Sequence, residues 1–335
     1  MEVGTLYVTS QGAKLTKVGE RLVIRDKDNR VLHDIPFFRV RQIVCFGSVE
    51  ITYQAIFQIM RRTIDVVYLT KSGRFKCRLS NLNESMVQIR TAQYRRVDDR
   101  EFRLKVAKTI VQGKLLTYKN WMMLKHRRGV IDAGSEILSV SEAINLIEIA
   151  TDADELMGIE GLGSRNYFDA FKKSLKQEIG FFDRNRRPPK DPVNAMLSFG
   201  YTLLLNKVLA SIEQVGVDPF MANLHANQNN RPSLALDLME EFRHFVVDAV
   251  VLRMVNLAQV RPEDFVMSAN KGVRMNEKVI ALLVKEIQNR LTSTSYYARD
   301  NKKMQLQEQI LRQSYLYRDA VKSDEISYNP LVFNK

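Results

Sequence analysis

Through the first 80 residues, apolar positions come in short runs rich in β-branched and aromatic side chains, separated by turn formers. TLYVTS, RLVIRD, VLHDIPF and RVRQIVCFG are parted by QGAK, KDNR and GS, which predicts strands joined by tight turns. The stretch TYQAIFQIMRRT breaks the pattern and predicts one short helix. IDVVYLT and RFKCRL, joined by KSG, then predict a hairpin. After SNLNES the spacing changes to 3.6 and stays there, predicting helices over 86–109, 116–125, 140–149, 194–215, 234–257, 275–291 and 302–320. The chain therefore reads as α+β: an N-terminal β-sheet or β-sandwich domain over residues 1–80, a linker over 81–90, and a larger all-α domain over 91–335.

The N-terminus MEVGTLYVTSQGAKL has no basic segment followed by an apolar one, and no run of about 18 apolar residues occurs. A cytoplasmic protein without a membrane span is expected. Cys45 and Cys77 lie in strand-like runs without metal or redox spacing, and both are expected to be buried core thiols. Charge says more. The chain carries 51 Lys and Arg against 38 Asp and Glu, a net +13, which favours a polyanionic partner. Between Met86 and Val130 stand twelve basic and three acidic residues, a local +9, with Arg96, Arg100 and Arg103 expected on one face of a helix. That density points to nucleic acid rather than a membrane, since no long apolar face backs it.

The stretch SLALDLMEEFRHFVVDAV predicts a helix with Leu238, Phe242, Phe245, Val246 and Ala249 in an apolar stripe. Asp237, Glu240, Glu241, His244 and Asp248 are expected on a solvated opposite side. Asp237 and Glu240, three apart in the first turns, would project together where the helix dipole favours anions, as a pair able to bind a divalent cation. His225 stands just upstream in a loop, MANLHANQNN, and a lone loop histidine is ordinarily a surface or hydrogen-bonding residue. A His with Asp or Glu suits Mn²⁺ or Mg²⁺ better than structural zinc. Glu160, between Gly158 and Gly161, reads as part of a glycine-loosened turn that a phosphate could approach. DRNRRPPKDP is a basic, proline-stiffened loop in which Arg184, Arg186, Arg187 and Lys190 suit phosphate contacts. No GxxxxGK[ST], GxSxG or HExxH occurs, nor a GxGxxG after a strand, so the corresponding nucleotide, hydrolase and zinc-protease chemistries fit poorly.

Four stretches in order, LMGIEGLGSRNYF, RRPPKDPVNAMLSFGY, GVDPFMANLH and SLALDLMEEFR, closely resemble the CRISPR-associated endonuclease/integrase family of the spacer-adaptation complex, the first of the numbered Cas proteins. The resemblance covers essentially the whole chain. It implies a β-domain joined to a helical domain, and a divalent-metal site (Mn²⁺ or Mg²⁺) of catalytic residues Glu160, His225 and Glu240, with Asp237 adjacent. Glu241 competes with Glu240, and the three-residue spacing to Asp237 selects Glu240, leaving Glu241 to solvent. Arg165, Tyr167 and Asn194 are carried over as lining the site, Arg165 also as a DNA contact. Ser164 departs from the small apolar residue expected before Arg165. The implied activity is insertion of spacer DNA by 3′-hydroxyl attack on a phosphodiester at repeat ends, the same site acting as a nuclease with water. The implied partners are double-stranded DNA (prespacer and repeat), a second copy of the chain, and a small partner protein. A structure-specific repair nuclease and a catalytically silent DNA-binding scaffold are the alternatives.

Overall fold

The computed structural model describes residues 4–71, 73, 75–79, 86–186, 188–225, 231–268, 272–297, 300–323, 325 and 327–332. The chain divides into two compact units, Met1–Glu84 and Ser85–Lys335. In the first, β1 (Gly4–Val8), β2 (Ala13–Val18), β3 (Arg21–Arg25), β4 (Val31–Pro36), β5 (Val40–Phe46) and β6 (Val49–Ile51) precede α1 (Tyr53–Arg61), followed by β7 (Asp65–Leu69) and β8 (Phe75–Leu79). They form two four-stranded sheets, ordered β1-β5-β7-β8 and β4-β3-β2-β6. The core draws Leu6, Ile43 and Val66 from one sheet, Leu15, Leu22 and Ile24 from the other, and Ala55 and Ile59 from α1. Burial of these side chains drives the sandwich, at roughly 25 cal/mol per Å² of apolar surface. The predicted hairpin is present as antiparallel β7 and β8. Cys45 is buried, and that burial pushes its thiol up to about 12. Cys77 is exposed, contrary to expectation, because it lies on the edge strand β8.

The second unit opens with α2 (Val87–Asp98), whose start falls inside the stretch expected as linker; residues 81–85 lie outside the described ones. Then come α3 (Arg100–Arg127), α4 (Gly134–Ile149), α5 (Ala153–Lys173) and α6 (Pro192–Gln214). The single helix expected over 86–109 is broken at Asp99, whose carboxylate caps α3 by accepting from the amides of Glu101 and Phe102. The helix predicted over 116–125 is simply the end of α3. α6 is the core helix; among the described residues it alone is long and apolar enough to cross a membrane, and 67% of that apolar window is buried inside the protein.

α5 corrects the reading of Glu160. The glycine-rich stretch is no turn but a continuous helix, capped by Asp152. Its glycines are tolerated because Gly163 is where α5 meets α3: a Cβ there would stand 2.4 Å from a methyl of Leu115. Close approach of two helices, rather than a loop, explains that glycine.

The helix expected over 234–257 is also rewound. α7 (Ser233–Met239) passes into a 3₁₀ turn (Glu240–Phe242), then a π-helical stretch (Arg243–Asp248), then α8 (Ala249–Asn256). Mid-helix π stretches concentrate at functional sites. The unit closes with β9 (Phe265–Met267) and β10 (Val273–Met275), α9 (Glu277–Thr292), β11 (Thr294–Tyr297) and β12 (Lys302–Gln305), and α10 (Leu306–Lys322). The two antiparallel hairpins were not expected in an all-α domain.

Candidate active site

The rewinding turns both sides of the 233–256 segment inward. Asp237, Glu240, Glu241, His244 and Asp248 are all buried, so the expected solvated face does not exist. Five buried polar groups need partners, and each has them.

Asp237 spends its carboxylate on the loop that carries His225. It accepts from the amides of Asn223 (2.7 Å), Leu224 (2.9 Å) and His225 (3.0 Å), and its Oδ1 lies 2.7 Å from His225 Nδ1. It therefore fixes the loop and the imidazole rather than sharing a cation with Glu240. Glu241, expected in solvent, is 1% exposed. Its carboxylate takes hydrogen bonds from Gln313, from the Tyr328 hydroxyl and from the Leu331 amide, and burial, which these bonds only partly oppose, pushes it up to about 7.

Glu240 and Glu160 do come together, on a cation absent from the sequence reading. The Lys114 ammonium donates to Glu160 Oε1 and to Glu240 Oε2 (2.7 Å) while itself only 4% exposed. Arg243 Nε adds an ion pair to Glu240 at 2.8 Å without the alignment of a hydrogen bond. Burial would raise the Glu240 carboxyl, but Arg243 and Lys114 outweigh it and hold it down at about 2. Glu160 is likewise lowered on balance: burial raises it, the charge of Lys114 lowers it, and bonds from Lys114 and Ser164 (2.8 Å) add to the lowering. Ser164, the departure noted in the sequence, is thus a partner of Glu160. Both carboxylates are ionised at neutral pH around one point of positive charge.

Lys114 and Glu160, with Ser164, Arg165, Arg184, Arg186, Arg243, Tyr118 and Tyr201 among others, line a cleft of about 280 Å³; Glu240, buried against Lys114, is not among the lining residues. Arg165, Arg184 and Arg186 therefore belong to the site. Arg187 lies outside the described residues, and Lys190 is exposed but not among the lining groups. Tyr167 and Asn194 lie beneath rather than in the cleft. Asn194 is fully buried and ties the basic loop together, donating to the Asp183 carbonyl at 2.7 Å and accepting from Arg184 at 2.6 Å. Arg96, Arg100 and Arg103 each donate to a main-chain carbonyl, of Ser323, Thr151 and Asn223 respectively. With α2 ending at Asp98, Arg96 stands on a different helix from Arg100 and Arg103, which lie three apart at the start of α3.

Tyr167 stacks on Tyr118 at 3.7 Å and donates to Asp248 at 2.9 Å. With its only proton so placed, its oxygen accepts from Nδ1–H of His244 at 2.8 Å, a ring that burial holds neutral, at about 3. Asp248 also accepts from Tyr201, whose ring lies 4.5 Å from the Arg243 guanidinium. Burial raises Asp248 to about 6, the tyrosine bonds opposing it in part. Because the folded value exceeds the unfolded one, its contribution to stability is complete below about pH 4 and is lost as pH rises through 6. Relative to an Asp248→Asn protein, the wild type should lose stability, on the order of 1 kcal/mol, between pH 5 and pH 7. Urea unfolding of both proteins at the two pH values measures it; parallel behaviour would refute the assignment.

A Mn²⁺ or Mg²⁺ ion would suit two carboxylates and an imidazole. Two of the three already turn toward one cationic position, held by Lys114. His225 Nδ1 is instead engaged by Asp237, and among the described residues no three His, Cys, Asp or Glu gather closely enough to hold a metal as they stand.

The family model described as CRISPR associated protein Cas1 matches residues 6–289, most of the chain. The chain belongs to the Cas1 family. It is 32% identical over 296 residues to a CRISPR-associated endonuclease Cas1 of Chlorobaculum tepidum, covering 86% of each chain. It is 35% identical over 264 residues to one of Thermus thermophilus, covering 78% of this chain and 77% of that one. A casposase bound to integration product shares the fold, with a TM-score of 0.88 over 99% of this chain and 95% of that one at 23% identity. Sequence reasoning missed Lys114, Arg243 and Tyr201, which line the same cleft as Glu160. A signal existed for the first: Lys114 lies in register with Val111, Leu115, Tyr118 and Met122, on the buried face of α3.

Proposed function

We propose that the chain is a divalent-metal-dependent DNA strand transferase and endonuclease that inserts spacer DNA at the repeat ends of a CRISPR array. The observation that carries this is the meeting of Glu160 and Glu240, from α5 and the rewound 240–242 turn, on Lys114, which with Glu160 lines a cleft rich in arginine. Membership of the Cas1 family supports it, as do relatives named endonucleases and the resemblance in fold to an integration complex and to a Cas6-RT-Cas1–Cas2 complex. The cytoplasm is the expected compartment. The proposed assembly is a homodimer with a small partner protein, on prespacer and repeat DNA.

Glu160, His225 and Glu240 would hold Mn²⁺ or Mg²⁺, which when bound neutralises phosphate charge and polarises the attacking and leaving oxygens. Asp237 keeps the imidazole in one orientation, and Lys114 and Arg243 keep Glu240 ionised. Arg165, Arg184 and Arg186 present cations to the phosphates flanking the reacting one. A prespacer 3′-oxygen bonds to phosphorus, the bond to the repeat's 3′-oxygen breaks, and the proton passes from the attacking hydroxyl to the leaving one. One phosphodiester is exchanged for another, so no energy source is required. Water in place of the hydroxyl gives cleavage.

The test is joining of a short duplex to repeat-bearing DNA with the partner protein present. We expect product only with 3′-hydroxyl ends and a divalent ion, none with a chelator, and DNA affinity falling steeply with salt. Cleavage without joining would favour a repair nuclease, and binding without either reaction a silent scaffold.

A further inference from the structure

The family match ends at residue 289, yet residues beyond it reach the immediate neighbours of two site residues. Glu241, next to Glu240, is anchored to the Leu331 amide at 2.8 Å, to the Tyr328 hydroxyl, and to Gln313 of α10 at 2.6 Å. Gln313 is itself oriented by the Tyr297 hydroxyl at 2.7 Å and reaches the Asn329 carbonyl at 3.2 Å. On the other side Pro330 presses on α3 at Gly113, next to Lys114: a Cβ at 113 would lie 2.4 Å from Pro330 Cβ and 2.9 Å from its Cγ. The Tyr328 ring meets Tyr317 edge-on at 6.1 Å, and the Tyr317 hydroxyl accepts from Asn223 at 2.9 Å, two residues before His225. One short segment therefore bears on the flanks of Lys114 and Glu240 and, through α10, on the loop of His225.

We propose that residues 327–332 form a strap that sets the spacing between α3 and the 240–242 turn, with Glu241 as its anchor. Glu241 is then a positioning residue, and the second acid of the EE pair serves geometry rather than ligation. The effect on turnover rests on the strand-transfer reading above; the effect on local order does not. A carboxylate suits the anchor because all three groups pointing at it are donors, and an amide in its place would turn an N–H toward at least one of them.

The strap is tested by a clash and its relief. Gly113→Ala improves the intrinsic propensity of α3, so any loss it causes comes from the collision with Pro330. We expect Gly113→Ala to lower turnover about tenfold with DNA affinity unchanged, and to raise amide exchange at 240–243 and protease sensitivity near 327–332. Pro330→Gly removes the colliding atoms, and the double variant should return both turnover and exchange to within about threefold of wild type. Unchanged exchange at 240–243 in Gly113→Ala would overturn the strap whether or not the protein joins DNA. So would a loss of turnover that Pro330→Gly fails to rescue, or strap cleavage with wild-type turnover. Absence of joining by the wild type, by contrast, would strike the strand-transfer reading alone.

Discussion

Glu240→Gln and Glu160→Gln proteins are each expected to lose roughly 10²–10³-fold in single-turnover joining, the scale of removing one preorganised electrostatic element, while binding the same DNA at least as tightly as wild type. The two halves of that expectation have one cause. Each substitution is isosteric and leaves Lys114 an amide oxygen to bond, so the cleft keeps its shape. It also removes a negative charge from a basic pocket, which favours a polyanion. A residue that only shapes the cleft behaves otherwise, losing joining and DNA binding together. Joining rates and filter-binding affinities measured on one DNA separate the cases, and a variant that joins at a rate within threefold of wild type removes that carboxylate from the chemistry. Substituting Glu241 is no control for charge alone, because its carboxylate is committed to Tyr328, Gln313 and Leu331.

The parts of this site that were legible in the sequence are those where local pattern and chemistry agree. The apolar runs of the first unit and the helices α4, α6 and α9 of the second follow from periodicity and burial, whereas the paired DxxE spacing picked out Glu240 but not the role of Asp237. The site itself was visible only through four stretches taken together, since Glu160 and Glu240 are brought side by side by the packing of α5, α3 and the 240–242 turn. What failed had identifiable causes. Glycines at 158, 161 and 163 argue against a helix by propensity, yet one of them is the contact that lets α5 lie on α3. Glu241, His244 and Asp248 look like a solvated face when the helix is assumed regular, and the 3₁₀ and π turns abolish that geometry by changing the residues per turn. Arg96, Arg100 and Arg103 look like one face of a single helix until Asp99 ends that helix and caps the next. In each case a tertiary demand overrode a local preference.

Replacement of Lys114 by methionine should have the largest effect on stability. The Lys114 ammonium is 4% exposed and is the group that joins Glu160 to Glu240. Burial lowers its proton affinity, but the two carboxylates more than offset this, and the net shift is upward. Methionine fills similar volume while leaving Glu160 without its strongest partner and Glu240 with Arg243 alone. Breaking a buried ion pair from one side costs about 3–5 kcal/mol, and that loss should appear in urea unfolding with chelator present. If the position between the carboxylates is also where a divalent cation belongs, the same substitution removes its competitor. Mn²⁺ should then stabilise Lys114→Met by about 2.7 kcal/mol at a hundred times its dissociation constant, and wild type by less at the same concentration. Sodium chloride at equal ionic strength should not. A Lys114→Met protein that is destabilised as expected but indifferent to Mn²⁺ and Mg²⁺ would show that the two carboxylates meet only to neutralise a lysine.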